Sequence, residues 1–142
     1  MSGALPILYL LSHSAPLQAL VEAGRIVPGD LPLKMEPPAI GVAQEDGNPR
    51  NTLSMLEPSR VWRDRVSVTA HVSLPSASKP GLGYPGLNAI IRAIVDACPN
   101  QRGTINGVFV HSILPDVRGP FMPIQETARV SQSQDFMVTW QT

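Results

Sequence analysis

Trp62-Arg63-Asp64-Arg65-Val66-Ser67-Val68-Thr69-Ala70-His71-Val72-Ser73-Leu74 is the stretch on which the fold turns. From Val66 onward, Val66, Val68, Ala70, Val72 and Leu74 point one way, while Arg65, Ser67, Thr69, His71 and Ser73 point the other. Period two means a strand with one buried face. Its β-branched content, with neither Gly nor Pro inside it, predicts a long strand within a sheet rather than a short edge piece.

Upstream, Ile40 and Val42 alternate within residues 38–45 and predict a partner strand. Between the two lies a polar stretch, 46–60, longer than a hairpin needs, so a long projecting loop is expected. Downstream, Leu87, Ile90, Ile91, Ile94, Val95 and Cys98 form a continuous apolar stripe at helical spacing, with Asn88, Arg92 and Asp96 opposite. Residues 105–114 read as a third strand, apolar on both faces, and 129–140 as a closing strand with Phe136, Val138 and Trp140 inward. At the start, Pro6 suits the first turn of a helix running to Ser12, and Ser14 caps a second one ending at Gly24. The resulting order, α-β-β-α-β-β, predicts a single α+β domain over 1–142: a four-stranded, mainly antiparallel sheet with helices packed on one face.

At 142 residues the chain is one domain's worth, able to bury roughly 68–70% of its unfolded surface. Hydrophobic residues make up 43% and charged ones 15%, with formal net charge zero. That composition offers no basic footprint for nucleic acid and little repulsion between copies, so self-association is expected. The 15 prolines gather between the periodic segments and mark long rigid loops, which usually contact something. The apolar run 4–11 is too short for a membrane span and follows no basic residue, so it reads as a buried helix.

Chemistry-bearing residues do not converge. His13, His71 and His111 lie in no ligand spacing, although His71 and His111 would become neighbours if their strands paired. Cys98 sits within a buried helical stripe and reads as a small core residue. Glu45, Asp46 and Asp64 read as solvated or ion-paired acids. Arg60, Arg63 and Arg65 make a small basic cluster, either a solvated strand end or a contact with a subunit or polyanion. No nucleophile elbow, phosphate loop or dinucleotide fingerprint is present. No cofactor is expected, and the chain does not read as an enzyme.

The order of the segments carries a resemblance. Ala15-Pro16-Leu17-Gln18-Ala19-Leu20-Val21, Gly24-Arg25-Ile26, the strand after Pro37-Pro38, Arg65-Val66-Ser67-Val68-Thr69, the amphipathic helix, the Gly107-Val108 to Ser112-Ile113 strand and the closing Asp135-Phe136-Met137-Val138-Thr139-Trp140 follow one another. This resembles the tail terminator, or tail completion, proteins of long-tailed bacteriophages and their prophage relatives. The resemblance implies a small structural subunit, made in the host cytoplasm, that sits at the head-proximal end of the virion tail. There it would form a homohexameric ring on the tail tube, stop tube growth and present a surface to head-tail connector or neck proteins. DNA would meet it only by passing through the lumen, and no membrane is involved.

Two sets of residues are assigned within that picture. Arg63, Arg65, Ser67, Thr69 and His71 turn away from the core and are assigned to the neighbouring subunit. Asp46, Asn48, Arg50, Asn51, Leu53, Met55 and Arg60, on the long loop, are assigned to the tube or connector. The competing readings are another neck or head-completion ring protein and, from a different class, a small-ligand-binding or enzymatic α+β domain.

Overall fold

The computed structural model describes residues 3–29, 37–50, 61–75, 81–99, 101–124 and 128–141. Among the described residues, three α-helices, α1 (Ala4–Ser12), α2 (Ala15–Gln18) and α3 (Gly83–Ala97), accompany seven strands. The strands are β1 (Ile26–Pro28), β2 (Ala39–Arg50), β3 (Val61–Ser73), β4 (Gly103–Ile105), β5 (Val108–Arg118), β6 (Met122–Ile124) and β7 (Arg129–Gln141). They form one sheet in the order β1-β2-β3-β7-β5-β4, with β6 also paired to β7. All pairs are antiparallel except β1 with β2.

The expected four-stranded sheet is therefore wrong. The sheet is mixed, seven-stranded and curled into a half-barrel. Three of the strands it gained, β1, β4 and β6, are three residues each, too short to show any period in sequence. Pro28 ends β1 at the sheet's edge, where its missing N–H costs no ladder bond. The segment 105–114 divides at Asn106-Gly107, whose positive φ angles of 50° and 80° make the tight turn between β4 and β5. A register shift then leaves His111 as an extra residue between Val110 and Ser112. Val108, Val110 and Ile113 are consequently all buried, while Phe109 and Leu114 are exposed, so this strand is not apolar on both faces.

β3 and β7 pair along their whole length, from Val61 opposite Gln141 to Ser73 opposite Arg129. Their shared inner face carries Val66, Val68, Ala70 and Val72 against Phe136, Val138 and Trp140. α3 lies over β3 and β7 with Leu87, Ile90, Ile91, Ile94 and Cys98 inward. α1 adds Ile7 and Leu11, packing toward β1, β2 and β5. Val66, Val68, Leu87, Ile91, Ile94 and Phe136 are fully inaccessible, and each such side chain stabilises the fold by about 1.5–3 kcal/mol. α2 stops at Gln18, short of Gly24, with Ser14 accepting a hydrogen bond from the Leu17 N–H.

One buried charge ties these layers together. Asp64 lies in phase with Val66 on the inner face and is 1% exposed, not solvated. Its Oδ2 accepts from Trp140 Nε1 at 2.7 Å and from the Gly3 N–H at 2.8 Å. Gly3 is the N-cap of α1, so the carboxylate also meets the positive end of that helix. A side chain at Gly3 would press on Asp64 and Val138 at about 3.1–3.2 Å.

Candidate functional site

The alternation that sends valines inward on β3 sends Arg63, Arg65, Ser67, Thr69 and His71 to the opposite face. The sheet register extends that face on both sides. Ala39, Gly41 and Ala43 of β2 stand opposite His71, Thr69 and Ser67. On β7, Ser131, Ser133, Asp135 and Met137 stand opposite His71, Thr69, Ser67 and Arg65. The proposed subunit-contact residues thus form one row, but an uneven one: Arg63 is exposed, Arg65, Thr69 and His71 are half-buried, and Ser67 is 8% exposed.

Small side chains on β2 leave a depression here. A trough of about 210 Å³ runs between β2 and β3, lined by Gly41, Ala43, Glu45, Ser67, Thr69 and His71. Glu45 lies in phase with Gly41 and Ala43 and so borders the same trough; there the ladder shifts, Gln44 being opposite Val66 and Asp46 opposite Arg65, which leaves Glu45 unpaired. At the trough's far end burial pushes the His71 pKa down, and Arg129 pushes it further in the same direction. Next to the trough, Arg65 reaches across β7 to Asp116, Nη2 to Oδ2, at 3.4 Å.

On the far flank of β7, the chain leaving β5 turns through residues 119–121 into β6 and pairs again with β7. This arm is apolar and exposed at Leu114, Val117, Phe121 and Met122. Buried glutamines from β7 hold it in place. Gln132 Nε2 donates to the Gly119 carbonyl at 2.9 Å, and Arg118 Nε donates to Gln134 Oε1 at 3.3 Å. The Gly119 N–H bonds the Ser133 carbonyl, and the Phe121 ring meets Tyr84 edge-on at 5.0 Å.

The other sequence candidates fall elsewhere. Asp46, Asn48 and Arg50 lie on β2, paired with Arg65, Arg63 and Val61, because β2 runs on into the expected loop. Asn51, Leu53, Met55 and Arg60 lie outside the described residues. His71 and His111 do not meet, since β7 separates their strands and the registers place them toward opposite ends of it. His111 instead pairs with Gln141 Oε1 at 3.0 Å. Cys98 is buried, with its thiol pushed up to about 12 by desolvation. Among the described residues, no group of three or more His, Cys, Asp or Glu comes together, and no helix is long and apolar enough to cross a membrane.

Sequence reading missed the trough, the arm and the buried polar trio. For Asp64, Gln132 and Gln134 a signal existed, because each falls in phase with the buried positions of its own strand. The trough depends on which small β2 residues pair with β3 and the arm on a second pairing with β7, and neither leaves a period to read.

No family model and no curated protein matches this chain. Solved structures do. One chain of the structure described as "Virion of native gene transfer agent (GTA) particle" aligns over 99% of this chain and 96% of its own length, with a TM-score of 0.67 and 12% sequence identity. At that identity the likeness is one of fold.

Proposed function

We propose that this chain is a structural subunit of a phage-like virion that closes as a ring on the end of the tail tube, stops tube polymerisation and offers the surface for head joining. The observation that carries this reading is the near end-to-end likeness to a chain within a virion particle. It agrees with the ordered resemblance to tail terminators, a group whose task needs no active site, only binding faces. A ring subunit needs a flank on each side for its neighbours and two ends for the tube and the connector. The trough and the arm supply distinct flanks, and the β2–β3 connection, with Asp46, Asn48, Arg50 and residues 51–60, is assigned to an axial partner. Such a ring passes DNA through its lumen, and its place is the head-proximal end of the tail.

Particles made without this gene test the proposal by negative-stain microscopy. Overlong tubes of variable length, unattached to heads, are expected. Tails of normal length beside separate filled heads would move the chain to the joining step, the task of a neck protein. Normal virions would overturn both.

A further inference from the structure

We propose that adjacent copies meet head to tail, the β5–β6 arm of one copy seated in the β2–β3 trough of the next, with Arg118 of the arm facing Glu45 of the trough. This deepens the ring reading above and rests on it.

Four observations favour a second copy as the occupant. First, the trough holds about 210 Å³, less than the roughly 300–1,000 Å³ of pockets that enclose drug-sized ligands. It suits one or two large side chains entering from a protein surface. Second, the chain itself displays such side chains: Val117 is 56% and Met122 58% exposed, on an arm held rigid by Gln132 and Gln134. Exposed apolar side chains gathered on one segment mark a contact surface.

Third, the charges are complementary. Glu45 projects from its bulge into the trough with no ion pair among the described residues, and Arg118 is exposed on the arm between Val117 and Gly119. Fourth, the two surfaces differ in shape and charge and lie on different flanks of β3 and β7. Neither matches itself, so the contact is heterologous, the kind that generates rings when the rotation closes. Small β2 residues, the Glu45 bulge and the glutamine-braced arm have no need of one another within a single subunit. A ring uses all three.

Cross-linking of the full chain tests this directly. Ala43→Cys and Val117→Cys are prepared separately, then oxidised alone and as a mixture. The native Cys98 is inaccessible and its thiol is held well above the reactive range, so it does not compete. A disulfide-linked dimer is expected only in the mixture, and a chain carrying both substitutions is expected to give a ladder of linked species. Self-linking of either single variant, or no product in the mixture, overturns the proposal.

A charge exchange supplies an independent check by sedimentation. Glu45→Arg and Arg118→Glu should each weaken association about 2- to 5-fold, as expected for an exposed pair, and the two together should recover it. Equal weakening without recovery counts against the pairing. Rings of the unmodified chain by microscopy, without the mixed disulfide, would remove this interface and leave the ring standing. A mixed disulfide together with normal virions from particles lacking the gene would leave the interface standing and remove the tail-capping function.

Discussion

The two faces of β3 belong to the same thirteen residues and do opposite work. Inward, Val66, Val68, Ala70 and Val72 are wholly inaccessible within the core that α3 covers. Outward, Arg65, Thr69 and His71 remain half-exposed beside small residues of β2 and β7. Close packing leaves the inner positions almost no freedom, whereas the outer ones, buried Ser67 apart, keep room to vary. If the outward row is the contact between copies, substitutions at its half-exposed positions should alter assembly and leave the fold standing, and inward substitutions should do the reverse.

The largest effect should come from the inner face. Phe136→Ala opens a cavity opposite Val66, and stability should fall by about 3–5 kcal/mol, measured by urea denaturation. Asp64 follows. Asp64→Ala strands the Trp140 indole N–H and the Gly3 N–H, both buried, and should cost about 1–3 kcal/mol per orphaned donor. Asp64→Asn keeps an acceptor and should lose less. A neutral Asp64→Ala would mean that desolvating this carboxylate, whose Oδ1 has no partner among the described residues, outweighs its two hydrogen bonds.

How much of this was legible follows the same division. Strong periods were read correctly: the inward set of β3, the α3 stripe, and Phe136, Val138 and Trp140 of β7 all lie where spacing put them. Legibility failed where the period breaks. Glu45 and His111 sit at register shifts that reset the alternation on β2 and β5, and three-residue strands have no period at all. Asn106-Gly107 is a failure of another kind. That dipeptide is the strongest short-range hairpin signal, yet apolar residues on both sides masked it as one continuous strand. Of the candidate site, the outward row of β3 could be read from alternation. The trough could not, because it arises from the cross-strand pairing of Gly41 and Ala43 with Thr69 and Ser67.

The outer face should behave in the opposite way under substitution. Thr69→Arg fills the trough without entering the core, so stability should stay within about 0.5 kcal/mol while ring formation on tails is lost. Circular dichroism melts and microscopy of tails mixed with the variant separate the two effects. Loss of folding would show that the outer face is as constrained as the inner one, and unchanged rings would remove this face from the interface.

The smallest expected effect tests whether the outer face is wholly free of folding constraint. His71 is half-buried, and desolvation first, then the charge of Arg129, lower its pKa from the ordinary 6.5. The unfolded chain accepts a proton as pH falls through that value, while the folded chain resists it. Stability from this residue is thus fully present above pH 6.5 and declines on acidification toward the folded-state value. Denaturation midpoints of the native chain and of His71→Gln, compared at about pH 8 and about pH 5.5, should show a smaller acid loss in the variant. Equal acid losses would mean that proton uptake at His71 costs the fold nothing, and that even this enclosed histidine of the trough places no constraint on folding.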